Sequence, residues 1–232
     1  MTVAMLRTVL ADFRAFIAAP RLITPSPMRG GWSQWGIMVG TYLAGLIVLS
    51  PLLALWGRTF HLSAAAAFSG FSPPVLAAVV VLVAPPAEEV LFRGWLTGRP
   101  RALWLLATAV IGTALLATAM RYGGDTVVSL AMVAIVLAAL AGWLWLRRRS
   151  DPPAWFARSF GGWFYASVLM FGLLHMMNYH ALSWTLLPMV LPQLWAGLVF
   201  AYLRMRHGLW ASSLAHAIGN AALLAAALLS GH

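Results

Sequence analysis

The sequence predicts an all-α polytopic membrane fold: about seven transmembrane helices enclosing an intramembrane polar cavity. Three observations predict it. The 232 residues are 62% hydrophobic and only 9% charged, whereas soluble domains carry roughly a quarter charged residues. Several apolar stretches reach about 20 residues, enough to cross a hydrocarbon core of about 30 Å. The joints between them are short and rich in Pro, Gly and Arg, with no room for a soluble domain. One membrane domain over 1–232 is therefore expected.

The elements follow in order. Residues 1–30 begin MTVAMLRTVLADFRAFIAAPRL. Arg7, Asp12 and Arg14 interrupt the apolar run too early for a signal peptide, so this segment reads as a cytoplasmic, interfacial or loosely attached helix. Spans are expected at about 33–56, 73–96, 102–120, 126–146, 160–179, 183–203 and 209–230. Gly36 and Gly40 form a small-xxx-small pair on the first, a candidate for close helix contact. Pro85-Pro86 interrupts the second, and Pro188 and Pro192 act similarly in the sixth. Trp32, Trp56, Trp143 and Trp155 lie near span ends, as interfacial tryptophans do.

Charge supplies an independent check on that count. All fifteen basic residues are Arg, and the net charge is +10. In a soluble domain this would suggest nucleic acid. Here the arginines sit between apolar segments, where orientation and lipid headgroups explain them, and no nucleic-acid partner is expected. With the N-terminus cytoplasmic, the inside loops hold Arg99 and Arg101, Arg147 to Arg149 with Arg158, and Arg204 with Arg206; the outside loops hold Arg58 and Arg121. That asymmetry fits seven spans with the C-terminus outside. The absence of Cys rules out disulfides, thiol catalysis and thiolate metal sites.

Few strongly polar residues remain inside the spans. The second offers Glu88, Glu89 and Arg93, the fifth His175, Asn178 and His180, the sixth Gln193, and the last His216 and Asn220. A carboxylate at membrane depth costs several kcal/mol unless paired or hydrated, and two of the five acidic residues stand side by side there. Glu89 and Arg93 share a helical face and can pair, and taken alone they read more readily as a structural ion pair than as machinery. Arg93 cannot readily serve both carboxylates, since adjacent helical residues point about 100° apart. Glu88 therefore calls for a wet pocket. His175 or His216 alone would read as a satisfied helix-contact histidine; together with Glu88 on separate spans they read as a site. His180 reads as interfacial, and Asn178 as pocket support or a backbone cap.

Carboxylates and imidazoles without an obvious nucleophile suggest activated water, with a Glu or His accepting its proton and other polar groups steadying an oxyanion. Ser212 and Ser213 precede His216 by three or four residues and offer a weaker serine alternative. A Glu/His/His set can hold zinc, but HExxH is absent and the spacing identifies no metal. Metal-assisted and metal-free hydrolysis both stay open at this point.

These residues carry three motifs in order: Glu88-Glu89-Val90-Leu91-Phe92-Arg93, Phe171-Gly172-Leu173-Leu174-His175, and His216-Ala217-Ile218-Gly219-Asn220. They resemble EExxxR, FxxxH and HxxxN of the CPBP family of intramembrane proteases, which includes the type II CAAX prenyl endopeptidase and bacterial relatives, some linked to bacteriocin processing or immunity. The resemblance implies that Glu88 with His175 activates water, that His216 and Asn220 stabilise the oxyanion, and that Glu89 and Arg93 shape the site. It implies a glutamate-type intramembrane peptidase without a required cofactor, although family members have also been described as metalloproteases. The expected substrate is a membrane-associated peptide or protein, and the expected location a bacterial inner (plasma) membrane. The protease-like core covers about 73–230. Glu88 and His175 stand 87 positions apart, wider than is usual in the family, with an extra helical hairpin at about 102–146. Two inserted spans preserve the relative direction of the motif-bearing helices. An inactive immunity or scaffolding protein and a proton-coupled transporter are the competing readings.

Overall fold

The computed structural model describes residues 2–23, 31–62, 70–179 and 181–229, and these are helical with short connections. Seven helical stretches are long and apolar enough to cross a membrane: Trp32–Thr59, Pro73–Thr97, Pro100–Tyr122, Asp125–Leu146, Phe160–Asn178, Trp184–His207 and Leu209–Leu229. Each overlays one expected span, giving the architecture of a polytopic membrane protein. We label the α-helices α1 (Val3–Ala18), α2 (Trp32–Thr59), α3 (Pro73–Ala77), α4 (Ala84–Arg93), α5 (Pro100–Tyr122), α6 (Asp125–Leu146), α7 (Ala154–Arg158), α8 (Phe160–Leu174), α9 (Leu191–His207) and α10 (Leu209–Leu229).

The chain divides into two compact units, one comprising the residues up to Arg93 and from Phe160 onward, the other Gly94–Ser159. In the first, α9 is the central helix. Its Val199, Phe200, Ala201, Leu203 and Met205 are fully buried. Close approach to its neighbours depends on small residues: Gly45 of α2 lies under Trp195, and Gly172 of α8 under Leu194. Trp195 Nε1 donates to the Tyr42 carbonyl (3.1 Å), tying α9 to α2. Gly208 joins α9 to α10 with φ 97°, a left-handed conformation that glycine adopts without a Cβ penalty.

Two expectations are corrected in this unit. Gly36 and Gly40 do not mark a close helix contact: a Cβ at either position would meet nothing within 4 Å. Glycine permits approach but does not attract, so the contact forms where a large side chain faces it. Nor is the N-terminal helix loosely attached. Val9, Phe13 and Phe16 are buried, and Asp12 accepts from the Arg206 guanidinium (2.5 Å) and the Tyr202 hydroxyl (2.5 Å). The acidic residue that breaks the apolar run anchors α1 to α9.

The second span is irregular where the prolines predict it. A π-helical segment, Ala78–Val83, separates α3 from α4, whose first turn holds Pro85 and Pro86. A 3₁₀ turn, Gly94–Thr97, completes the span. The sixth span likewise opens in 3₁₀ turns and becomes α-helical from Leu191, with Pro192 in the first turn, where a missing N–H costs nothing.

In the second unit, α5 and α6 form a helical hairpin. Trp104 Nε1 donates to the Ala138 carbonyl (3.0 Å) while Gly142 makes room for the same indole. Gly112 faces Ile135 in the same way. Val110, Ile111, Leu115, Val136 and Leu137 remain exposed. On helices of membrane-spanning length such side chains are lipid-facing, and their exposure carries no hydrophobic cost.

Candidate active site

The site is built on α4. Glu89 and Arg93, one turn apart, are both completely buried and form an ion pair. The guanidinium lies 4.2 Å from the Phe171 ring centroid and 5.5 Å from that of Phe200, so aromatic faces of α8 and α9 share its charge. Glu89 Oε1 also accepts from His216 Nδ1 of α10 (3.1 Å). The end of α4 is fastened from outside: Ser167 Oγ donates to the Phe92 carbonyl (2.7 Å) and Arg204 Nε to the Arg93 carbonyl (3.1 Å). Terminal helix carbonyls have no intrahelical partner, and these side chains supply one.

Glu88 is differently placed. Its side chain is 30% exposed, yet its Oε2 is buried and accepts no hydrogen bond among the described residues. Two imidazole nitrogens face that oxygen, His175 Nε2 at 4.0 Å and His216 Nε2 at 3.8 Å. Both distances exceed direct hydrogen bonding, which ends near about 3.2 Å.

The neighbours fix both ring orientations. His175 Nδ1 lies 2.6 Å from the Phe171 carbonyl. A carbonyl only accepts, so Nδ1 carries hydrogen, and a neutral ring turns the Nε2 lone pair toward Glu88. His175 begins the 3₁₀ turn His175–Asn178 where α8 ends, and this tightening directs the imidazole. His216 donates from Nδ1 to Glu89 Oε1, and its ring stacks on Phe200 at 4.9 Å and 26°. With one proton its Nε2 is an acceptor; with two, a donor.

Of the residues singled out in the sequence, Glu88, Glu89, Arg93, His175 and His216 converge from α4, the 3₁₀ turn that follows α8, and α10. Asn220 is also on α10, but its Nδ2 donates to the Val80 carbonyl in the π-helical segment (2.9 Å). Ser212 and Ser213 both donate to the Leu209 carbonyl (2.9 and 3.0 Å), so each hydroxyl is spent on the first turn of its own helix. Gln193 has a buried Oε1 that accepts no hydrogen bond among the described residues. His180 lies outside the described residues, and Asn178 makes no hydrogen bond to the cluster among them. The sequence reading missed Ser167, Phe200 and Arg204; no motif marks them, and only the α4 carbonyls and the His216 ring reveal their purpose. Among the described residues, no three His, Asp or Glu side chains form a metal-holding group.

No curated protein and no solved structure matches the chain. A family model does, that of the Rce1-like type II CAAX prenyl endopeptidases, over residues 70–160 and 152–222. The matched stretches contain Glu88, Glu89, Arg93, His175, His216 and Asn220 and cover well over half of the sequence; the chain belongs to the Rce1-like CAAX protease family.

Proposed function

We propose that the protein is an intramembrane endopeptidase in which Glu88 and His175 activate a water molecule against a peptide bond of a membrane-associated substrate. One observation carries this reading: the buried, unpartnered Glu88 Oε2, faced by two imidazole Nε2 atoms at 3.8 and 4.0 Å. Three atoms so spaced are too far apart to bond directly. In this reading a water bridges Glu88 Oε2 and His175 Nε2 at about 2.8 Å from each, donating to both and keeping a lone pair for attack.

The step balances simply. Water oxygen bonds to the scissile carbonyl carbon as Glu88 takes a proton, leaving a tetrahedral oxyanion. Collapse breaks the C–N bond, and the departing amine receives the proton from Glu88. In this mechanism His216 donates Nε2–H to the oxyanion while its Nδ1 stays on Glu89. Glu88 lies in the second half of the second span, Pro73–Thr97; with the N-terminus inside, cleavage is expected in the cytoplasmic half of the membrane. The residues enclose a polar active-site cavity in this reading, and α5–α6 is an extra hairpin on a protease-like core.

The test uses purified protein in lipid nanodiscs and a library of membrane-associated peptides, prenylated and not, with and without chelator. Cleavage is expected to persist in chelator and to fall about 10²–10⁴-fold in Glu88→Gln, a change of nearly equal shape whose folding is checked by its unfolding midpoint. Cleavage at the wild-type rate by a correctly inserted Glu88→Gln protein refutes the mechanism. Loss in chelator with recovery on added zinc replaces it with a metal-assisted one.

A further inference from the structure

The backbone of the second span contains a hydrogen-bond ladder broken by two prolines, and Asn220 supplies the donor for one of the carbonyls they leave. In a π-helix each N–H bonds the carbonyl five residues earlier. Ala84 N–H follows this register and bonds the Val79 carbonyl. The next donor in the register, for the Val80 carbonyl, would be residue 85, which is proline and has no N–H. The Val80 carbonyl instead accepts from Asn220 Nδ2 of α10 at 2.9 Å. The carbonyl settles which end of the amide faces it, since only Nδ2 can donate.

We infer that Asn220 is a positioning residue: it replaces the main-chain donor removed by Pro85 and holds α4, with its two glutamates, at the depth and rotation the site requires. The inference rests on the proposed function for its activity readout. An unsatisfied carbonyl in an apolar span is costly, and spans that contain proline are tolerated where side chains re-satisfy the freed group. Asn220 and His216 lie one turn apart on the same face of α10. They grip the second span twice, His216 at Glu89 (3.1 Å) and Asn220 at Val80 (2.9 Å). Contacts rising along one helix and falling along the other make the pair antiparallel. Two grips about 12 Å apart along the second span resist both sliding and rotation of α4; one permits pivoting. Glu88 depends on that restraint because its 3.8 and 4.0 Å approaches to the imidazoles are held by no bond of its own.

The proline also makes the role separable from oxyanion stabilisation. Asn220→Ala, Pro85→Ala and the double variant are compared in full-length protein by cleavage kinetics and by thermal unfolding. Asn220→Ala is expected to lower kcat about 10–100-fold with KM little changed. Pro85→Ala is expected to keep most cleavage, and the double variant to regain about tenfold or more over Asn220→Ala, because the main-chain N–H restored at position 85 now serves Val80. An oxyanion donor cannot be replaced from position 85, so absence of recovery overturns the inference and leaves the proposed function standing. If Pro85→Ala is itself inactive, the unfolding midpoints decide: Asn220→Ala must lower the midpoint with Pro85 present and not in the Pro85→Ala background. Equal drops in both backgrounds overturn the inference. A wild-type protein that cleaves nothing refutes the proposed function, and the midpoint comparison still tests the positioning role.

Discussion

Arg93 gives the sharpest stability prediction. It is fully buried, pairs with an equally buried Glu89, and lies over Phe171. Truncation to Ala leaves a carboxylate at membrane depth with His216 as its remaining partner. Breaking a buried pair on one side costs about 3–5 kcal/mol, and the lost contact with the ring adds about 0.5–2 kcal/mol. Against a total stability of about 5–15 kcal/mol, that is a large fraction of the whole. Arg93→Ala should therefore lower the unfolding midpoint in nanodiscs by roughly 10 °C or more and reduce the amount of protein that inserts correctly. Removing both charges is the informative partner experiment. Glu89→Leu with Arg93→Met replaces the pair with apolar groups of similar reach, an exchange that is often neutral or stabilising. Its midpoint should return close to wild type, but cleavage should not, because His216 Nδ1 has lost its acceptor. A cycle over the two single variants and the double measures the coupling directly. Coupling below about 0.5 kcal/mol, or full cleavage by the apolar pair, would show that Glu89 and Arg93 do not fix His216 for the reaction.

Two further predictions use the remaining geometry. His175→Ala should reduce cleavage about 10²–10⁴-fold with little change in midpoint, whereas His216→Ala should lose both, since it also removes a Glu89 partner and the stack on Phe200; equal midpoint losses count against this division. Gly219→Ala places a methyl group against the Tyr42 ring and hydroxyl, an overpacking worth about 1–3 kcal/mol. Shortening the facing residue in a Tyr42→Leu background should recover much of that loss, and no recovery means the clash lies elsewhere.

How much was legible in the sequence depends on where each interaction gets its partner. The spans were legible because apolar runs of bilayer length end in Pro, Gly and Arg, and each signal is local. Glu88, Glu89 and Arg93 were legible because lipid makes carboxylates conspicuous, and the four-residue spacing pairs Glu89 with Arg93. Gly36 and Gly40 were misread because a glycine's contact is decided by the residue opposite: Trp195 faces Gly45, and nothing faces Gly40. Asp12 looked like an interruption because its partner, Arg206, lies 194 positions away. Asn220 was visible as a polar residue in a span, but its partner is a main-chain carbonyl, and no side-chain pattern reports which carbonyl a proline has freed.

The adjacent glutamates have the same chemistry and opposite surroundings, and that contrast defines the site. Glu89 Oε1 takes a guanidinium and an imidazole, so its charge is compensated on the spot and serves to orient His216. Glu88, about 100° around the helix, meets the Nε2 atoms of His175 and His216 across gaps too wide to close directly. Only the second arrangement leaves a carboxylate able to take up a proton from something that is not protein. The difference depends on α4 holding its rotation, because a turn of even part of that angle would carry Glu88 out of line with the imidazoles and Glu89 away from His216. That dependence explains why so many restraints converge on one short helix: Ser167 and Arg204 on its last carbonyls, His216 on Glu89, and Asn220 on the carbonyl that Pro85 leaves open. In the proposed mechanism the energetic cost of burying Glu89 with Arg93 is thus tied to the task of its neighbour, since the same contacts that hold one carboxylate keep the other facing the imidazoles.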